Sequence, residues 1–246
     1  MNLVERLEIG PVICAEGYLF AMERRGYLQA GAFVPEVVLD NPEVVTQLHR
    51  EFIRAGSDVV QAFTYYAHRE KLRMINKEDL IVPLQKEALN LAKQAAREFS
   101  DQNLLVCGDI SNTNVYDPSD KESLLECQKM FEEQVGWAKD AGVDFIIAET
   151  IDWVGEMKLA LKAIKDEGLI AVTNFSIPKN KLIAHQSGGR MIIRDNLMFF
   201  STGEYRHRTL AQEDDNDFGK ILSIQLHNKT KKILNSNSIG KCLDCY

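Results

Sequence analysis

The sequence lacks any long apolar segment: it contains no apolar run of about 18 residues, the length that a membrane-spanning helix needs. It also lacks an excess of basic residues, since 36 Asp and Glu outnumber 29 Lys and Arg. Binding to nucleic acid or to an anionic membrane needs clustered positive charge. We therefore expect neither partner, and small molecules and other proteins are the remaining candidates.

Cysteines are few and odd in number. Five occur at irregular spacing, at Cys14, Cys107, Cys127, Cys242 and Cys245. Such a set is typical of free thiols in a reducing compartment and not of a disulfide framework. The N-terminal MNLVERLEIG has charges where a secretory signal has its apolar core. The sequence predicts a cytoplasmic protein.

Short apolar runs alternate with helical patterns through the first 175 residues. Predicted strands cover 11–15, 58–63, 103–110, 144–150 and 169–175, with amphipathic helices between them. Continuous apolar strands joined by helices predict a parallel sheet, either in a (β/α)8 TIM barrel or in an open doubly wound sheet. The first strand ends in CAEGY and not in G-x-G-x-x-G, so nothing favours a dinucleotide-binding domain. We favour the barrel.

Two predicted helices have recognisable starts. Asn41 and Pro42 supply an N-cap and a first-turn proline. Ser119 and Glu122 form an S-x-x-E capping box before a helix that runs to Gly142.

The repeating pattern stops at residue 176. From Ile177 the tail has eleven Lys and Arg against seven Asp and Glu, whereas residues 1–176 have 18 against 29. No strand–helix alternation is recognisable in 177–246. About five β/α units are too few to close an eight-stranded barrel. The sequence predicts a partial barrel domain at 1–176 and a divergent tail at 177–246, unless the tail supplies further strands. The exposed sheet edges of a partial barrel would favour pairing between chains as a homo-oligomer.

Polar and aromatic residues follow the predicted strands, at the end where parallel (β/α) folds place their sites. The second strand runs into FTYYAH (63–68), and Glu16, Asp109 and Glu149 follow other strands. Aromatic faces attract cations, which indicates a cage around a quaternary ammonium group. Because neighbouring strand residues face opposite sides, we expect Tyr66 to face the site while Phe63 and Tyr65 pack in the core. From its own strand alone, Glu149 could equally pair with a lysine or cap the next helix.

Several segments resemble a known family. GYLFAMERRGYLQAGAFVPEVVLDNPEVVTQLHREFIRAGSDVVQAFTYYAHREKL, VCGDISNT and GVDFIIAET are similar to the N-terminal half of the betaine–homocysteine S-methyltransferases, within the homocysteine methyltransferase family. The resemblance covers roughly residues 5–175. It implies a (β/α)8 barrel that transfers a methyl group from betaine or a related methylated cation to homocysteine, giving methionine.

The resemblance also implies roles for individual residues. Glu149 would hold the homocysteine amino group. Glu16, next to Ala15 where the family has an aspartate, would take over the role of that aspartate. At the donor site Tyr66 matches an aromatic residue, Phe33 replaces a tryptophan and Thr150 replaces a tyrosine, so the cage has fewer and smaller rings. Thr64 completes the substrate-binding set expected from the sequence.

The expected cofactor of the family is zinc, held by three cysteine thiolates in G-x-N-C and G-G-C-C segments. Neither segment occurs here. Cys242 and Cys245 form a C-x-x-C, a weak signal for half of a zinc site, and His185, His207 and His227 also lie in the tail. Two hypotheses stay open at this point: a homocysteine methyltransferase, or a truncated non-catalytic homologue that keeps part of the substrate site. Schiff-base chemistry is disfavoured, because no predicted strand ends in a lysine.

Overall fold

The computed structural model describes residues 1–15, 17–28 and 34–175, and, beyond these, the backbone of four further strands. The chain divides into two compact units, Met1–Ser176 and Ile177–Tyr246. The helices of the first unit are α1 Leu3–Ile9, α2 Tyr18–Arg24, α3 Val37–Asp40, α4 Pro42–Arg54, α5 Arg69–Arg73, α6 Ile81–Glu98, α7 Lys121–Ala141 and α8 Val154–Asp166. Its strands are β1 Val59–Gln61, β2 Leu105–Ser111, β3 Phe145–Ile151 and β4 Ile170–Phe175.

The four strands form one parallel sheet in the order β1-β2-β3-β4. Each strand therefore pairs with the next strand along the chain. A doubly wound sheet instead reverses its strand order at a switch point. The observed sequential order is the one that (β/α) barrels have, and the described part of the first unit contains four such strands.

The predicted first strand at 11–15 is reduced to one isolated parallel bridge between Cys14 and Val59. The reason lies in the hydrogen bonding of Ile13. The Asp58 side chain accepts from the Ile13 N–H at 2.8 Å, and the Asp58 N–H donates to the Ile13 carbonyl. At this edge the Ile13 N–H therefore bonds to a side chain and not to the backbone of a neighbouring strand.

The two faces of the sheet have different partners. Alternate residues such as Val60, Ile110 and Ile146 pack against the helices, where Phe131 of α7 is completely buried. The opposite face carries Val59, Leu105, Cys107, Phe145 and Ile147, which pack with Leu3 of α1. Because side chains alternate along a strand, residues 61, 109 and 149 belong to this second face, at the carboxyl ends of β1, β2 and β3.

The helices α4 and α7 begin within a few residues of their predicted starts. The residue that caps α7 differs from the predicted one. The start of α7 is capped by Asp120, whose side chain accepts from the Glu122 N–H at 2.9 Å. The predicted capping box of Ser119 is wrong, because the Ser119 hydroxyl donates to Asp117 at 2.7 Å instead. Asn41 does occupy the N-cap position of α4, although its side chain makes no capping hydrogen bond.

The second unit contains an antiparallel sheet of four strands, β5 Gly188–Arg194, β6 Leu197–Thr202, β7 Ile221–Gln225 and β8 Lys231–Asn235. The strands pair in chain order as a meander. The sequence did not predict these strands, since their apolar runs are short and follow no helix. Their antiparallel pairing is unlike that of the (β/α) strands in the first unit. Across all the described residues, no helix has the length and apolar character that crossing a membrane requires.

Candidate functional site

A cavity of about 550 Å³ opens at the carboxyl ends of β1, β2 and β3. Its position follows from the parallel sheet, which brings the chain segments after each strand to one edge. The residues that line it are Gly17, Tyr18, Leu19, Phe20, Gln61, Ala62, Phe63, Tyr65, Tyr66, Asp109, Glu149 and Thr150. We call its carboxyl-bearing part the acidic side and its tyrosine-bearing part the aromatic side.

Gln61, Asp109 and Glu149 form the acidic side. The Gln61 amide donates from Nε2 to Glu149 Oε1 at 3.0 Å, and the Cys14 thiol donates to Gln61 Oε1 at 3.7 Å. Glu149, which the sequence placed near a strand end, lies in β3 two residues before its end and lines the cavity. Gln61 was missed, although a lone glutamine within the apolar run DVVQAF is a visible signal for a polar position on the inner face.

Asp109 is the most deeply buried ionisable group of the cavity, with only 3% of its surface exposed. Burial is the main cause that raises the pKa of Asp109 well above its usual range, and the neighbouring charge of Glu149 raises it further. Among the described residues, Asp109 Oδ1 has no hydrogen-bond partner. An unsatisfied buried carboxyl oxygen costs free energy unless a ligand or a proton compensates it.

Tyr65 and Tyr66 form the aromatic side. Their ring centroids lie 4.2 Å apart, and both side chains, together with Phe63, line the cavity. Phe63 is buried in the core as expected, whereas Tyr65 lines the cavity beside Tyr66, which the sequence did not predict. Strand β1 ends at Gln61, so the two-residue alternation on which that expectation relied does not extend to residues 63–66.

The backbone is strained on both sides of the cavity. Tyr66 has a φ of 60° and Thr150 has a φ of 54°, in the left-handed region that non-glycine residues rarely occupy. The Tyr65 hydroxyl and Thr150 Oγ1 are 3.0 Å apart and hydrogen-bonded, which joins the loop after β1 to the end of β3. Strain of this kind is typical of binding sites that the surrounding structure holds in place.

Lys71 lies over the Tyr66 ring, with its Nζ atom 4.0 Å from the ring centroid. This contact has cation–π geometry. The Tyr66 ring therefore already contacts an ammonium group of this chain. A second cation would have to use the remaining surface of the Tyr65–Tyr66 pair.

Three further residues were predicted to bind substrate: Thr64, Glu16 and Phe33. Thr64 is buried and does not line the cavity, because its hydroxyl donates to the Asp109 carbonyl at 2.6 Å. It positions the loop after β1 against β2. Glu16 and Phe33 lie outside the described residues.

Two buried histidines lie behind the aromatic side. His49 Nδ1 is 2.9 Å from the hydroxyl of Tyr18, a residue that lines the cavity. His68 caps α5 and lies next to Tyr66. Burial lowers the pKa of His49 to about 3, and burial together with the Lys71 charge lowers the pKa of His68 to about 3. Both imidazoles are therefore neutral at pH 7.

These histidines make stability depend on pH. In the unfolded chain each titrates near pH 6.5, so below that pH the unfolded state binds protons that the folded state does not. The stabilisation is complete above pH 6.5 and is lost as the pH falls toward 3. Each histidine should contribute a slope of about 1.4 kcal/mol per pH unit between pH 6 and 4. Urea unfolding of His49→Gln should show a slope smaller by that amount, and a slope equal to that of the unchanged chain would contradict the assignment.

Comparisons with known proteins show the family of this chain. A family model described as homocysteine S-methyltransferase matches residues 18–193. The chain belongs to the homocysteine S-methyltransferase family. Betaine–homocysteine S-methyltransferase 1 of Rattus norvegicus is 38% identical over 174 residues, which cover 68% of this chain and 41% of the rat protein. The same enzyme of Sus scrofa is 38% identical over 174 residues, covering 68% of this chain and 60% of its own.

A solved structure shares the fold of the homocysteine S-methyltransferase unit described here. The metallated form of the homocysteine methyltransferase MmuM from Escherichia coli superposes with a TM-score of 0.60 at 21% identity, covering 72% of this chain and 67% of that one. The similarity supports the (β/α) arrangement of the first unit. The present chain spans about two fifths of the length of the rat relative.

The described cysteines do not fit the thiolate zinc site that the family resemblance implies. Burial raises the pKa of the Cys107 thiol, and burial raises the pKa of Cys127 to about 11, which disfavours the thiolate that zinc needs. Cys127 is also in contact with the Thr113 hydroxyl at 3.0 Å. Within residues 1–15, 17–28 and 34–175, no three His, Cys, Asp or Glu side chains are grouped to hold a metal ion. Cys242 and Cys245 lie outside the described residues.

Proposed function

We propose that the cavity binds homocysteine and a methylated cation together, and that the chain transfers a methyl group to the homocysteine sulfur to give methionine. The observation that supports this proposal is one cavity whose lining contains the carboxyl groups of the buried Asp109 and the partly buried Glu149 together with the paired rings of Tyr65 and Tyr66. Family membership supports homocysteine as the acceptor.

The acidic side suits the amino group of homocysteine. An ammonium group offers three donors and a positive charge, and Asp109 and Glu149 offer carboxyl oxygens that line the same cavity. Gln61 fixes the orientation of Glu149 through its 3.0 Å hydrogen bond. Glu149 is therefore the proposed principal ligand of the ammonium group.

The aromatic side suits the methyl donor. Methylated ammonium and sulfonium groups are attracted to aromatic faces, most strongly where water is excluded. Tyr65 and Tyr66 would hold the cation next to the acceptor. In the transfer, a bond forms between the homocysteine sulfur and the methyl carbon while the bond from that carbon to the donor nitrogen or sulfur breaks. The bonding pair stays on the donor, and the thiol proton leaves to solvent.

Turnover with labelled donors tests the proposal. The purified chain is incubated with homocysteine and either methyl-labelled betaine or methyl-labelled S-methylmethionine, and labelled methionine is measured by mass spectrometry. We expect transfer from at least one of the two cations, reduced in Tyr65→Leu and unchanged in Tyr27→Leu, whose exposed ring lies outside the cavity. No transfer from either cation would overturn the methyltransferase proposal.

A second candidate function is ligand binding without turnover. The observation in its favour is the absence of both cysteine segments from the sequence, since a thiolate-bound zinc ion lowers the pKa of the substrate thiol and so activates the acceptor. In that case homocysteine would bind in calorimetry while no labelled methionine forms. The turnover and binding measurements together separate the two functions.

The metal content gives a further prediction. We expect the purified chain to contain far less than one zinc ion per chain, because the soft thiolate set of the family is absent from its sequence. Elemental analysis after extensive dialysis measures the ratio. A stoichiometric ion that is retained by the unchanged chain and lost from Cys242→Ser would contradict this expectation and assign the site to the C-x-x-C.

A further inference from the structure

Asp109 and Glu149 are two carboxyl groups that line the same cavity, and they differ in burial and in hydrogen bonding. Asp109 is almost completely buried and lines the cavity with one oxygen unpartnered among the described residues. Glu149 is less buried and accepts from Gln61. When one of two neighbouring carboxyl groups is buried, ionising both places like charges close together, and the second charge costs the more free energy. One proton is therefore shared within the pair.

The surroundings of Asp109 indicate where that proton lies. The groups that act on Asp109 are Gln61 on β1, Glu149 on β3 and the Cys14 thiol, and the buried Cys107 thiol lies two residues before Asp109 on β2. None of these described groups is a cation. Lys71 lies on the aromatic side over the Tyr66 ring. With no described positive charge acting on it, the more deeply buried carboxyl is the one that keeps a proton.

We propose that Asp109 is protonated in the ligand-free protein and releases its proton when an ammonium group enters the cavity, so that ligand binding and deprotonation of Asp109 occur together. The entering cation adds a positive charge beside Asp109, and the pair then binds it as two carboxylates. The proton leaves to solvent as the ligand arrives, so the charge of the site is balanced in both states. This inference rests on the proposed binding of an amino acid at the acidic side, and it adds a linkage between affinity and pH.

The inference predicts in which direction the affinity for the amino acid changes with pH. Because binding releases a proton, affinity for the amino acid should increase with pH, by about tenfold per pH unit where one full proton is released. The increase ends once Asp109 is ionised in the free protein. Replacing Asp109 by asparagine, which mimics the protonated carboxyl in shape and charge, should remove this dependence.

Calorimetry with L-methionine tests the inference. L-methionine has the same ammonium and carboxylate groups as homocysteine and no thiol proton to lose. Titrations at pH 7 in buffers of different ionisation enthalpy give the number of protons released per ligand bound. We expect a release approaching one proton for the unchanged chain and a release near zero for Asp109→Asn. The matched control is Glu156→Gln, another buried carboxyl outside the cavity, whose proton release should equal that of the unchanged chain.

The possible results separate this inference from the proposed function. Binding of L-methionine without proton release, or equal release by Asp109→Asn and the unchanged chain, would overturn the role of Asp109 while leaving the amino acid site intact. Absence of binding in every buffer would overturn the proposed function itself, and this inference with it. The deamino analogue 4-(methylthio)butanoate has no ammonium group, so any binding it shows should release no proton.

Discussion

Replacing Glu149 by alanine is expected to abolish most of the homocysteine binding of this chain. The variant removes the carboxylate proposed to pair with the ammonium group and leaves the Gln61 amide without its 3.0 Å acceptor. Removing one partner of a buried charge pair costs about 2–5 kcal/mol, which corresponds to a loss of affinity of at least about 30-fold. Isothermal titration with homocysteine at pH 7.5 measures the change.

Two further variants make this result specific. Glu149→Gln keeps the shape of the side chain and an acceptor oxygen for Gln61, so a loss of affinity in both variants assigns the effect to charge. Glu126→Ala removes an exposed glutamate of α7 and should bind as the unchanged chain does. If Glu149→Ala retained full affinity, the ammonium site would have to lie elsewhere.

Replacing Phe131 by alanine is expected to destabilise the first unit by about 3–5 kcal/mol. Phe131 is completely buried on the face of α7 that packs against the sheet, in the same cluster as Ile110 and Ile146. Its removal leaves a cavity between the helix layer and the central strands, which close-packed surroundings fill only in part. Urea unfolding followed by far-ultraviolet circular dichroism measures the loss.

The same helix provides the control. Leu125 is 58% exposed on α7, so Leu125→Ala changes a similar apolar side chain without opening a cavity. Its effect should be within about 0.5 kcal/mol of zero, as for most surface substitutions. Similar losses for the two variants would show that α7 does not use its Phe131 face for packing.

The parallel (β/α) unit was predictable because its signals are local and repeated. The strands β2 and β3 are each seven residues long, and each precedes an amphipathic helix, α7 and α8 respectively. The position of Glu149 followed from one rule, that parallel strands gather their carboxyl ends at one edge. The antiparallel strands of the second unit, five to seven residues long, have no such repetition with helices between them.

Other parts of the site depend on contacts that no local pattern contains. The hydrogen bond between Tyr65 and Thr150 joins residues 85 positions apart, and the Tyr18–His49 contact joins residues 31 apart. The orientation of Tyr65 could not be predicted from strand alternation, because β1 already ends at Gln61. The partnership of Asp109 with Glu149 required the register in which Ser111 of β2 pairs with Glu149 of β3. Such features arise from the three-dimensional arrangement and not from the spacing of residues.

The sequential order β1-β2-β3-β4 also bears on how the first unit is made. During synthesis on a ribosome, every new strand finds its hydrogen-bonding neighbour already present, and no strand has to wait for a later one to be translated. Contacts at short sequence separation form quickly because little chain entropy is lost in closing them. The sheet can therefore grow one strand at a time from its N-terminal edge, and Glu149 completes the acidic side of the cavity only when β3 has joined.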